Sequence, residues 1–247
     1  MRSSNPRKKS IKQKIRKKFI RIFYERTRIA LFSRYLRSIG SQNAVFIWIP
    51  KSAGTSVLSA LTRYGCTKLK KIHIVKYYFP QKGMVTFGHM NYPELIKCGY
   101  VSSKFDESAY KFCFTRNPYD RAVSLFFYLK TIDRVPSQMA FLEFCRELNN
   151  KGCENIGLFN LNRWSHCNPQ VKWIENTKID FIGKFESLEK DFNKILYELK
   201  LPRVNLPHQN ITSHEHFSHY YCQESKEIIQ NFYRRDFINF GYNFDEM

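Results

Sequence analysis

The sequence predicts an α/β fold: a central, mainly parallel sheet flanked by helices, with a basic helix at the N-terminus. Three observations carry this. Apolar runs such as Ala44–Ile49 show no polar alternation, as expected of a strand buried on both faces. Segments with apolar residues three and four apart stand between those runs. The joints between them carry Pro, Gly, Ser and Asn, which punctuate helices and strands. Strands that alternate with helices indicate a parallel sheet.

Residues 7–37 read as one basic helix, with Ile11, Ile15, Phe19, Ile22 and Phe23 at steps of three and four and Lys and Arg between them. Two placements stay open. The helix either lies on an anionic leaflet, where each nearby base contributes roughly 1 kcal/mol, or docks its apolar stripe on the domain. An acid-poor start also has something of a transit peptide, but no apolar core or cleavage site of a secretory signal is present. The globular part, 41–247, opens with the strand 44–49, broken at Pro50. A helix over Thr55–Arg63 follows, then strands at Met84–Phe87 and Tyr110–Thr115. Asn117 is a good N-cap, Pro118 fits the first helical position, and the helix they begin runs to about Lys130. Further helices are expected at Pro136–Leu148, Ser187–Leu199 and Glu224–Phe237, and a fourth strand at Ile179–Ile182.

The chain has 247 residues, 43% hydrophobic and 16% aromatic, which excludes a disordered or collagen-like protein and supplies a core without staples. No uncharged apolar run reaches the length of a membrane span. The net charge is +20, of which residues 1–40 hold +13 and residues 41–247 the other +7. A basic body suits an anionic ligand and a basic tail an anionic surface. Seven scattered Cys without a CxxC pair read as reduced thiols, and only His214 and His216 approach a metal-ligand spacing, in what reads as a solvated loop.

Two segments carry chemistry. In the first, a buried strand ends in Pro50-Lys51-Ser52-Ala53-Gly54-Thr55-Ser56 and a helix follows. Successive loop N–H groups and a helix N-terminus attract phosphate. Gly54 permits close approach, Thr55 and Ser56 supply hydroxyls, and Lys51 supplies a full charge. An ordinary strand-to-helix turn is the alternative. The order is not that of a Walker A loop, since Lys51 precedes Gly54, and no strand ends in a well-placed magnesium-binding Asp. In the second, Arg116 follows the strand 110–115, at the carboxyl edge where open α/β sheets bind ligands. Arg116 and Ser124 bracket a helix start and together suit a second phosphate. Arg116 could instead pair with Asp120, and Ser124 could bond back to its own helix.

Together, PKSAGTS after one strand and FTRNPYDRAVSLF after a later one resemble the two nucleotide-binding motifs of PAPS-dependent sulfotransferases. The branch they resemble is the carbohydrate sulfotransferases with a heparan-sulfate-2-O or chondroitin type of domain. FGHMNY (87–92), HCNPQ (166–170), IDFIGKFESLEKDF (179–192) and YRRDFINFGYNF (233–244) are similar to further segments of that branch, and the likeness spans roughly 44–244. The resemblance implies a P-loop-like sulfotransferase fold and transfer of sulfonate from PAPS (3′-phosphoadenosine-5′-phosphosulfate) to a carbohydrate hydroxyl. It places Lys51, Ser52, Ala53, Gly54, Thr55 and Ser56 on the 5′-phosphosulfate, and Arg116 and Ser124 on the 3′-phosphate. Eukaryotic Golgi members carry an N-terminal anchor. The polybasic helix in its place suggests a bacterial, cytoplasmic enzyme touching the inner membrane surface.

Attack by a hydroxyl needs a base, and the leaving phosphate oxygen needs positive charge. His89, just past the strand 84–87, is the expected base, with His166 and Glu186 as alternatives, though a carboxylate before a helix more often caps or pairs. Lys51 is expected to take the leaving charge. No metal and no specific nucleic acid is expected. Arg163 and Lys172 are candidates for meeting an acidic acceptor, in a cleft built from loops 64–83, 131–165 and 203–222. The competing readings are a P-loop-type small-molecule kinase and a non-catalytic protein binding an anionic membrane or nucleic acid. The acceptor sugar and the oligomeric state are not legible from the sequence.

Overall fold

The computed structural model describes residues 19–20, 22–24, 26–27, 31, 42–151, 166–206 and 215–243. Most of the basic helix expected over 7–37 therefore lies outside the described residues; those described between 19 and 31 are helical. Arg163, His208 and His214 also lie outside them.

Among the described residues, five strands form one parallel sheet in the order β2-β3-β1-β4-β5, with β1 at Ala44–Ile47, β2 at Thr67–Lys68, β3 at Met84–Thr86, β4 at Tyr110–Thr115 and β5 at Phe181–Lys184. The chain runs from β1 out to β2, returns through β3 beside β1, then crosses to β4 on the other side. The carboxyl end of β1 is thus the switch point where such sheets hold ligands.

β1 is buried along its whole length, which is why its sequence is an unbroken apolar run. Its side chains alternate between two cores. Ala44, Phe46 and Trp48 join Phe112, Phe114 and the helices α1 (Gly54–Thr62) and α7 (Leu188–Glu198). Val45, Ile47 and Ile49 join Val85, Cys113 and the helices α2 (Ile72–Tyr78), α3 (Tyr92–Lys97) and α4 (Ser103–Ser108). The result is three layers, helix–sheet–helix. A third apolar cluster unites α5 (Pro118–Thr131), α6 (Phe141–Lys151) and α8 (Gln223–Phe232).

Asn117 caps α5 as expected: its side chain accepts from the Tyr119 N–H, and Pro118 is the first helical residue. Four expectations need correction. The fourth strand lies two residues later, at Phe181–Lys184, in register with Phe112–Thr115; Asp180, whose carboxylate accepts the Lys111 N–H, precedes it instead. The helix expected at 136–148 starts at Phe141. The C-terminal helix is two, α8 and α9 (Arg234–Phe240), divided at Tyr233. The stretch 64–83, expected as a loop, holds β2 and α2, and it buries Leu69, Ile74, Val75 and Phe79.

Candidate functional site

The loop after β1 is shaped by its backbone. Lys51 and Ala53 adopt left-handed conformations (φ 68° and 57°), which non-glycine residues rarely take. Such alternation turns successive N–H groups toward one side, the geometry of an anion nest. Gly54 begins α1 against Trp48: a Cβ there would lie 1.8 Å from the indole Nε1, so any side chain must displace the indole.

Three cations gather here. The Lys51 ammonium is held down to a pKa of about 8, chiefly by burial and then by the charges of Arg116 and Arg121. It lies 4.6 Å from the centre of the Tyr128 ring and has no ion pair among the described residues. Arg116 realises the alternative reading: its Nε and Nη2 donate to both Asp120 oxygens at 2.6 and 2.7 Å, and its guanidinium stacks on Phe185. A third N–H, on Nη1, reaches the Lys51 carbonyl at 3.2 Å, so the β4 tip and the loop are bonded directly. With five N–H groups on the guanidinium, two remain for a ligand after these three bonds. Ser124 is buried in the second turn of α5. Ser52 turns its hydroxyl inward, to the Gln170 amide oxygen at 3.3 Å, leaving its backbone N–H as its offering to an anion.

His89 emerges after Gly88, whose positive φ (62°) turns the chain at the end of β3. Its Nδ1 lies 3.0 Å from the Trp48 carbonyl. A carbonyl only accepts, so Nδ1 carries the proton and Nε2 the lone pair, the tautomer a general base needs. Edge-on contacts with Trp48 (5.1 Å) and His166 (4.7 Å) fix the ring. Glu186 accepts from the Asn117 N–H at 2.6 Å and from Tyr242 OH at 3.1 Å, the capping and pairing role weighed for it.

Sequence reasoning missed the frame behind these groups. Arg121, 1% exposed, donates from Nε to the Pro50 carbonyl and from Nη2 to those of His166 and Asn168. Its Nη1 finds no hydrogen-bond partner among the described residues. Asp236 accepts the N–H groups of Gln170 and Val171, and its pKa is raised, because burial outweighs the pull of Arg121 and those two donors. The strings FTRNPYDR, HCNPQ and YRRDF hold Arg121, Gln170 and Asp236, but nothing in them says that these residues meet.

A family model described as the sulfotransferase family matches residues 36–243. An uncharacterized protein of Archaeoglobus fulgidus is 32% identical over 104 residues, 41% of this chain and 77% of that one. Among solved structures, the mouse sulfotransferase SULT7A1 complexed with PAP superposes with a TM-score of 0.53 at 18% identity, covering 80% of this chain and 85% of that one. A sulfotransferase from Alicyclobacillus acidocaldarius superposes with a TM-score of 0.49 at 13% identity, over 82% and 97%. The mouse structure shares the fold: a mostly parallel sheet with flanking helices.

Proposed function

The chain belongs to the sulfotransferase family, and from that premise we propose that it moves the sulfonate group of PAPS to a hydroxyl of a carbohydrate acceptor, with His89 as base. One observation carries the reading: the Lys51 loop and the Arg116 strand tip, 65 residues apart, are bonded to each other beside a histidine of the basic tautomer. Two anion grips side by side suit a nucleotide with phosphates at both ends, and the mouse relative is complexed with such a molecule, PAP. The residues fit it. The loop offers N–H groups and an ammonium unneutralised by any carboxylate among the described residues, and Arg116 keeps two N–H groups.

When bound, PAPS supplies an activated sulfonate. The loop 51–56 holds its 5′ end, and Arg116 with Ser124 holds its 3′-phosphate. Lys51 neutralises charge on the leaving phosphate oxygen, a role in which one fixed group commonly contributes about 3–4 kcal/mol. His89 Nε2 takes the proton of the attacking hydroxyl. The carbohydrate acceptor rests on the resemblance of FGHMNY and HCNPQ to segments of the heparan-sulfate-2-O and chondroitin branch; their histidines, His89 and His166, lie with ring centres 4.7 Å apart. Residues 1–40 are assigned to an anionic membrane surface, on the strength of their +13 charge and the exposure of Phe19, Ile20, Phe23 and Tyr24.

Transfer of labelled sulfate from PAPS across a glycan panel tests the reaction. A thermal shift with PAP against Mg-ATP tests the donor. Stabilisation by Mg-ATP alone would replace the reading with a kinase.

A further inference from the structure

Gln170 is fully buried, in the turn of 3₁₀-helix that follows Pro169. Its side-chain amide faces two segments at once. The oxygen accepts from Ser52 Oγ at 3.3 Å and from the Arg116 N–H at 2.9 Å, while the nitrogen donates to the Arg116 carbonyl at 2.8 Å. Toward Arg116 the amide behaves as one more residue of a neighbouring strand, continuing the ladder past the end of β4. Toward Ser52 it holds a loop whose backbone is strained at two non-glycine positions.

Gln170 is itself held from behind. Its N–H and that of Val171 donate to the two oxygens of Asp236 at 2.7 and 2.9 Å. The preceding residues are tied down by Arg121 at His166 and Asn168, and by Tyr233 OH at the Cys167 carbonyl. Every bond in this chain is between buried or half-buried groups, where an unmade hydrogen bond is costly and the geometry is correspondingly fixed.

We propose that Gln170 is a positioning residue that sets the span between the two anion grips, so that a ligand with a phosphate at each end is held by both at once. This rests on the PAP-type donor site proposed above. The physical content is effective concentration: once one end of a two-ended ligand is bound, the other meets its grip only if the spacing is preset. Loosening the spacing penalises a two-ended ligand and spares a one-ended one. General loss of structure would weaken both alike.

The experiment is calorimetric titration of the full chain with adenosine 3′,5′-bisphosphate (PAP) and, separately, with adenosine 5′-monophosphate, for the wild type and Gln170→Met. Met keeps the length and volume of the side chain without its donor or acceptor. The expected result is a loss of PAP affinity of about tenfold or more with a change of less than about threefold for the monophosphate. Asp236→Asn, which loosens Gln170 from outside the site, should show the same pattern more weakly, and it stands in if Gln170→Met does not fold. Equal losses for both ligands, or none for PAP, overturn the proposal alone. A wild type that does not bind PAP overturns the donor site and this proposal with it.

Discussion

In the proposed reaction Lys51 and His89 divide the work at the residue scale, and each makes a separate prediction. His89→Asn keeps a donor toward the Trp48 carbonyl but has no basic nitrogen to take a proton. Turnover should fall by about a hundredfold or more, with PAP affinity and melting temperature near the wild type. Unchanged turnover would transfer the base to His166, whose ring is 4.7 Å away. In its proposed place on the donor, Lys51, with its pKa of about 8, would tie binding to pH. A bound polyanion favours the charged ammonium and raises that pKa, so binding takes up a proton where the free Lys51 is partly neutral. PAP affinity should therefore weaken as pH rises from 7 to 9, approaching tenfold per unit above 8, after the phosphates themselves (second pKa about 6) have finished titrating. Calorimetry in buffers of different ionisation enthalpy reads the uptake. A pH-independent affinity would detach Lys51 from the ligand. Stability moves the other way: the unfolded chain holds the Lys51 proton up to 10.5, the folded one only to about 8, so unfolding free energy from this group rises with pH between those values.

At the scale of elements, the loop 50–56 depends on what lies under it. Trp48 occupies the space of a Gly54 side chain, and the Lys68 ammonium stands over the indole at 3.5 Å from the ring centre. Gly54→Ala must push the indole aside, at a cost of about 1–3 kcal/mol for overpacking. The expected outcome is a clear drop in melting temperature and in PAP affinity, read by thermal denaturation with and without PAP. A stable variant with wild-type affinity would mean that the indole moves freely. The sequence announced β1 because burial on both faces leaves an unbroken apolar run, and β3 and β4 because they are apolar apart from Thr86, Lys111 and Thr115. It hid β2, only two residues long, and α2, α3 and α4, each six or seven residues, too short to establish a period. It misplaced β5 because Ile179 reads as strand while the ladder starts at Phe181 opposite Phe112. It ran α8 into α9 because the apolar period continues through Tyr233, where the chain turns to bury Asp236.

Across the whole molecule, the two segments proposed as grips were legible as strings, but the bond between them was not. Arg116 to Lys51, Gln170 to Ser52 and Arg121 to Pro50 span 65 to 118 positions, and no local pattern encodes such contacts. Charge, in contrast, was legible, and it makes the last prediction. Phe19, Ile20, Phe23, Tyr24 and Leu31 are 60–73% exposed, while Ile22 is half-buried and the Arg26 guanidinium stands 5.3 Å over Tyr78 of α2. One side of this helical stretch thus faces the domain, and an apolar side faces away, within a segment holding 14 bases and one acid. Aromatic side chains among bases suit the boundary of an anionic bilayer, each base adding about 1 kcal/mol near the surface. The full chain should co-sediment with vesicles containing phosphatidylserine and not with phosphatidylcholine alone, and it should release as salt shortens the screening length from about 10 Å at 0.1 M. The double variant Phe19→Asp, Phe23→Asp should lose the vesicles and keep its turnover, because neither residue touches the site. Binding that survives both salt and substitution would assign the segment elsewhere, and a concentration-dependent dimer abolished by the same substitutions would assign the apolar face to a second copy of the chain.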